Sequence, residues 1–314
     1  MRRLVSFKSL SVRARISATS GIATASKQRF LSTVAEIERK FHFNDAILRY
    51  CTSNATTSTQ VLMCDIYFDN STYALTTRDM WLRQRNDKLE LKWPMLTASK
   101  DKTTDHQPSE TLVGLDFYQE STDIAKIADV VQKSTDLLIK VPSTKCTMEE
   151  TIGALAAVGI QPFGTIQTHR VRYNLCMDLP AHLRNKRKST DRQIKVFVDI
   201  DTVKYLLPNV PTNSQAPSTP VHSSHDALRT YQIGEIEFDF SDTPTSNHHS
   251  SDDNNTALSD TDQATNAATM QHVFRVMGIE PAPVRGKVLE YLVRFRPDHF
   301  EALRKSGQLA SKGL

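Results

Sequence analysis

Charged residues share one strand parity in each of six short runs of this sequence. Glu36, Glu38 and Lys40 share one parity in Glu-Ile-Glu-Arg-Lys, and Arg83 and Arg85 share one in Trp81-Leu82-Arg83-Gln84-Arg85. Glu90 and Lys92 flank Leu91, and Arg170 and Arg172 flank Val171. Lys195, Asp199 and Asp201 line up in Lys-Val-Phe-Val-Asp-Ile-Asp, and Glu235 and Glu237 flank Ile236. On a β-strand a spacing of two puts side chains on one face. One such run needs no more than a wet outer face. Six of them, with carboxylates and bases sorted strand by strand, describe a closed barrel with apolar residues outside and charges in its lumen. Charges withdrawn from water must be paired or bound to a ligand. Guanidinium forks match phosphate oxygens, and carboxylates suit Mg²⁺ or Mn²⁺. The pattern points to a tunnel for a metal–polyphosphate complex.

The elements that must hold these side chains are read from periodicity. Alternating polarity predicts strands over 34–43, 64–69, 80–93, 165–176, 193–202 and 231–240. Helical spacing falls at about 45–52, 123–133, 147–158, 265–277 and 285–305. Pro297 opens a helix running to Lys305. The tunnel domain is expected over 34–306, with a tail at 307–314. Residues 208–228 and 241–264 are rich in Ser, Thr, Asn, Asp or Pro and read as loops without a core. His222, His225, His248 and His249 fall there and read as solvated side chains rather than metal ligands. The cluster from Arg184 to Lys188 reads as a solvated hairpin tip.

The chain has 314 residues, enough for one large domain with a sizeable core. It contains no apolar run near the roughly 18 residues of a membrane-spanning helix. Cys51, Cys64, Cys146 and Cys176 have neither disulfide-scaffold nor zinc-ribbon spacing and read as four free core thiols. The net charge of +4 is a property of the amino terminus, where residues 1–35 carry seven bases and no acid. Without those seven, the 35 acidic residues outnumber the bases, so a nucleic-acid partner is not indicated. Residues 1–33 are Arg- and Ser-rich with no continuous apolar core, the composition of a mitochondrial presequence. Arg29-Phe30-Leu31-Ser32 resembles a processing site. The alternatives are a basic tail without an address, leaving the protein cytoplasmic, and a chloroplast address.

Glu36-Ile37-Glu38-Arg39-Lys40 resembles the E-x-E-x-K signature of the CYTH, or triphosphate tunnel metalloenzyme, superfamily. The series continues in order with Tyr67-Phe68-Asp69, Trp81 to Arg85, Leu89 to Lys92, Tyr118-Gln119-Glu120, Thr168-His169-Arg170, Val198 to Thr202 and Gly234 to Glu237. The run from Gly286 to Pro297 resembles the ending of the thiamine-triphosphatase branch. The similarity spans about residues 34–305, interrupted by the inserts.

This resemblance implies an α+β fold, an eight-stranded antiparallel β-tunnel closed as a barrel and surrounded by helices. It implies Mg²⁺-dependent hydrolysis of thiamine triphosphate to thiamine diphosphate and phosphate, with Mn²⁺ as the alternative ion. Carried over by position, Glu36, Glu38, Asp199, Glu235 and Glu237 hold metal. Lys40, Arg83, Arg85, Lys92, Arg170 and Lys287 grip the phosphates, and Lys92 is the candidate catalytic residue. Trp81 contacts thiamine near the mouth, an indole beside an organic cation; a core anchor is its alternative role. Glu120, Asp201 and Arg172 either support the residues that touch the ligands or are structural ion pairs. The expected partner is a small triphosphate, with no nucleic acid, no membrane and a monomeric chain. The rival functions are an inorganic tripolyphosphatase or nucleoside triphosphatase of the same fold, an adenylyl cyclase, and a silent polyphosphate-binding module.

Overall fold

The computed structural model of the protein describes residues 34–94, 116–140, 146–187, 192–207, 230–238, 260–280 and 282–310. For residues 34–37, 116–117, 185–187 and 260–263 it describes the backbone alone. In chain order the elements are β1 (Val34–Phe41), α1 (Asp45–Asn54), β2 (Thr57–Asp69), β3 (Trp81–Arg85), β4 (Lys88–Pro94), β5 (Asp116–Ser121), α2 (Ile124–Ser134), α3 (Met148–Ala157), β6 (Gln161–Asp178), α4 (Ala181–Arg187), β7 (Gln193–Leu206), β8 (Thr230–Phe238), α5 (Asp260–Met277), α6 (Lys287–Phe295) and α7 (Pro297–Lys305).

Local chemistry sets these bounds. Asn44 and Asp123 cap α1 and α2 by accepting from the amides of Ile47 and Lys126, each at 3.0 Å. Thr147 and Glu150 close a reciprocal capping box at α3. The predicted helix over 285–305 is two helices, because Pro297 has no amide to continue the ladder and Arg296 leaves helical geometry at φ −141°, ψ 61°. The run expected as one strand over 80–93 is a hairpin, folded at Asn86, whose φ is +53°.

All strands pair antiparallel, in the order β1-β5-β4-β3-β2-β6-β7-β8, and β8 returns to β1. β1 divides its length between two neighbours. Val34–Glu38 pair with β5 and Glu38–Phe41 pair with β8, so only Glu38 has a partner on both sides. Among the described residues the curled sheet is therefore open along this seam on either side of Glu38. At the seam Phe41 lies opposite Gly234, and a Cβ on that glycine would come within 2.0 Å of the Phe41 ring. With no Cβ at this position the end of the ring fits against β8, in the register that places Glu38 opposite Glu237.

Two apolar clusters cover the outside. Phe41, Val198 and Ile236 pack with Met270 and Phe274 of α5, and Phe68, Leu82 and Leu91 pack with Ile127 and Val131 of α2 and Leu155 of α3. Alternation then sends the charged positions inward. A third cluster fills one end of the interior: Tyr67, Ile166, Val203, Tyr205 and Ile233 meet Leu289, Tyr291 and Leu292 of α6 and Leu303 of α7. Leu309 is buried there too, so the fold continues past residue 306, where a tail was expected.

Four further expectations change. Residues 260–264, placed in a loop, begin α5, where acidic residues suit a helix start. The segment from Arg184 joins paired strands as expected of a hairpin, but as the helix α4; Lys188 lies outside the described residues. All four cysteines are free, yet only Cys51 is buried, and Cys64 and Cys176 are exposed. Strand β5, which periodicity missed, completes the circuit with six residues. Residues 1–33, 208–228 and the four loop histidines lie outside the described residues. No helix among those described is long and apolar enough to cross a membrane.

Candidate active site

The interior carries two facing sets of ion pairs. On β6–β8, Arg170 makes a bidentate bond to Asp201, with Nε at 2.7 Å and Nη2 at 2.8 Å. The same guanidinium reaches Glu235 at 2.7 Å and Asp199 at 2.5 Å. Arg172, two residues nearer the other end, grips Asp199 at 2.7 and 2.6 Å and Glu237 at 2.5 Å. Lys287 enters from the first turn of α6 and meets Asp201 at 3.3 Å. On β2–β5, Arg85 binds Asp65 through Nε at 2.7 Å and Nη2 at 2.8 Å. Arg83 donates to Glu90 at 2.8 Å, with Glu120 at 3.8 Å. Lys92 reaches Glu38 at 2.8 Å and Glu120 at 3.8 Å, over the face of Tyr118. Lys40 also bonds Glu38.

Register explains the acidic centre. Glu38 faces Glu237 across the seam, Lys40 faces Glu235, and Asp199 faces Glu235 across the next ladder. One oxygen each from Glu38, Glu235 and Glu237 lies within 4.8 Å of the others. Three converging carboxylates form a hard-oxygen donor set that fits a divalent cation. Asp199 is fully buried but held by Arg170 and Arg172, outside this triplet. Glu36 lies two residues before Glu38 on β1, opposite Tyr118; its side chain is outside the description.

These pairings fix charge states. Burial alone would raise the Glu38 carboxyl; the charges of Lys40 and Lys92 outweigh it and hold the group well below its ordinary value. Burial likewise opposes ionisation of Asp201 and Asp65. Lys287 and Arg170 hold Asp201 down, and Arg85 with Arg83 holds Asp65 down. Arg170 is held protonated against burial by Asp201, Glu235 and Asp199. Thr168, two residues before Arg170 on β6, has a buried hydroxyl with no hydrogen-bond partner among the described residues.

Trp81, the expected thiamine contact, is partly buried on β3. It lies opposite Lys92 and packs on the apolar cluster that fills one end of the interior. Its Nε1 donates to Asp79 at 2.9 Å, and the Tyr118 hydroxyl donates to the same carboxylate at 3.0 Å. Asp79 sits at φ +60°, a turn position that strand periodicity does not mark. Asp65, by contrast, shares parity with Tyr67 in Cys-Asp-Ile-Tyr-Phe-Asp, so the same spacing rule marks it. Asp201, Arg172 and Glu120, secondary on sequence grounds, are all members of the network.

No curated protein matches the chain in sequence. Solved structures similar to it include a Pyrococcus horikoshii protein at 12% identity, covering 83% of this chain and 99% of that one with a TM-score of 0.40. A Hippeastrum protein, described as a putative adenylyl cyclase that reveals a dominant triphosphatase activity, is 11% identical, covers 83% of this chain and 98% of that one, and has a TM-score of 0.38. A putative adenylate cyclase from Bacillus halodurans is 17% identical over 83% and 97%, with a TM-score of 0.33. The CYTH domain model matches residues 35–246, and the chain belongs to that family.

Proposed function

We propose that this protein hydrolyses the terminal phosphoanhydride of thiamine triphosphate, releasing thiamine diphosphate and phosphate. The observation that carries this reading is the convergence of Glu38, Glu235 and Glu237 in an interior that also presents Arg83, Arg85, Lys92, Arg170 and Lys287. CYTH enzymes act on triphosphates, and phosphoryl transfer needs charge neutralisation and alignment more than covalent chemistry. The bases bind and align the anionic chain. The three carboxylates hold Mg²⁺, or Mn²⁺ as the alternative. A bound divalent ion supplies charge neutralisation at the phosphate oxygens. The apolar cluster keeps bulk water out of one end of the interior. Lys92, between Glu38 and Glu120, is the residue we assign to the reacting phosphate. The Trp81 indole, with Asp79 behind it, suits a cationic organic end.

One observation favours a second reading. An indole packed on an apolar cluster and bonded to a carboxylate also describes a core anchor, in which case inorganic tripolyphosphate is the substrate. Phosphate release from thiamine triphosphate, tripolyphosphate and ATP, with Mg²⁺ and with chelator, separates the two. Fast, chelator-sensitive cleavage of thiamine triphosphate supports the first; cleavage of tripolyphosphate alone supports the second. No release from any of the three leaves a silent polyphosphate-binding module.

We also propose mitochondrial import through residues 1–33, on their basic, acid-free composition. A reporter carrying residues 1–35 should enter mitochondria; a diffuse cytosolic signal rejects the address.

A further inference from the structure

Arg172 stands where a cation would. Its Nη2 bridges Asp199 at 2.6 Å and Glu237 at 2.5 Å, and Glu237 is one of the three converging carboxylates. Arg170, by comparison, is enclosed. It is 11% exposed and touches Asp199, Asp201, Glu235 and Glu237. Arg172 is 33% exposed, and its guanidinium rests over the Phe197 ring at 5.2 Å. Asp199 does not depend on it, because Arg170 is already 2.5 Å away.

We infer that Arg172 is a tethered counter-ion of the cation site, displaced from Glu237 when a divalent ion binds and thereby released toward the polyphosphate. This rests on the function proposed above. The argument is electrostatic. Arg172 holds Oε2 of Glu237 at hydrogen-bond distance, so an ion on that carboxylate would sit beside a guanidinium and be repelled by it. Binding of the ion therefore opposes the Arg172–Glu237 bond. The side chain stays attached at the edge of the lumen, with Phe197 as an apolar rest, and its fork is then available for phosphate oxygens. Arg172 in this way couples the two ligands: metal alone works against it, and the anion accepts it once displaced.

The test measures Mn²⁺ alone, read by electron paramagnetic resonance, on the full chain. R172Q removes the competing charge and should bind Mn²⁺ about tenfold more tightly than wild type. R172K keeps the charge and should stay within about threefold of wild type. At saturating Mn²⁺, the KM of R172Q for tripolyphosphate should rise, because the released fork is missing. Circular dichroism checks the fold, and R172M carries the same reading where R172Q does not fold. Mn²⁺ affinity that is equal or weaker in both neutral variants overturns the inference and leaves the cation site standing. Mn²⁺ bound by neither wild type nor variant overturns the cation site, and this inference with it.

Discussion

Glu38 and Glu237 are directly opposed across the β1–β8 ladder, at the one residue of β1 that is paired on both sides. Like charges in this position destabilise a sheet by a few tenths of a kcal/mol to about 1 kcal/mol unless a cation intervenes. Lys40 and Lys92 hold Glu38, and Arg172 holds Glu237, so each carboxylate already has a base. The register brings two carboxylates together at a cost that the surrounding bases offset. Glu38→Gln should weaken Mn²⁺ binding and lower Mg²⁺-dependent turnover by about two orders of magnitude, roughly 3 kcal/mol. Wild-type turnover at limiting Mg²⁺ would remove Glu38 from the site.

Asp65 has a separate role. It is fully buried and gives both oxygens to Arg85, with Arg83 at 4.0 Å. We expect it to act through Arg85, orienting the fork that meets phosphate. Asp65→Asn should therefore raise the KM for every triphosphate about tenfold, the scale of one charge-assisted bond. Mn²⁺ affinity should be unchanged, because the carboxylates we assign to the ion lie on β1 and β8. Equal losses in Mn²⁺ and substrate binding would show a general collapse of the interior instead.

The charged lumen is legible in the sequence because a strand's period of two is local. Each Glu-x-Glu or Arg-x-Arg run reports its own face without reference to any partner. The partners are not local. Nothing in Glu235-Ile236-Glu237 states that Asp199 will be taken by arginines while Glu38 completes the triplet. That depends on the register in which Phe41 meets Gly234. The six residues of β5 lie beyond a long connection and show too few alternations to be seen. Asp79 lies in a left-handed turn, where no periodicity operates.

His299 gives the fold a pH dependence away from the lumen. It is buried on α7, stacked on Tyr73 at 3.9 Å, with Nε2 at 2.7 Å from the Thr76 hydroxyl. That hydroxyl donates to Asp69 at 2.6 Å, so it accepts from His299, which is neutral with its proton on Nε2. Burial, with help from Arg296, lowers the imidazole from 6.5 to about 4. A depressed histidine means that the unfolded chain takes up the proton first. Stability is full above about pH 6.5 and falls as pH drops toward about 4, by about 1.4 kcal/mol per pH unit. Burial raises Asp69, whose own protonation works in the opposite sense nearer the carboxylate range. Urea unfolding from pH 7.5 to 4.5 should show this loss, and His299→Gln should flatten it. An unchanged slope in the variant assigns the loss to other groups.

Trp81 decides between the two substrate readings. Its neighbours define what a substitution must preserve: the apolar cluster below the ring, Asp79 at Nε1, and Lys92 opposite. Alanine would leave a cavity and mix packing with recognition. Trp81→Leu keeps apolar bulk and removes the π face. A desolvated cation–π contact contributes on the order of 2 kcal/mol, roughly thirtyfold in affinity. The KM for thiamine triphosphate should rise by about that factor in Trp81→Leu, since its thiazolium loses the indole. Tripolyphosphate has no organic end, so its KM should change by less than about threefold. Trp81→Phe, which keeps a ring and loses only the bond to Asp79, should fall between wild type and Trp81→Leu for thiamine triphosphate alone. If both substrates suffer equally in Trp81→Leu, the indole is a core anchor, Asp79 is its brace, and the interior selects phosphate chains without regard to what they carry.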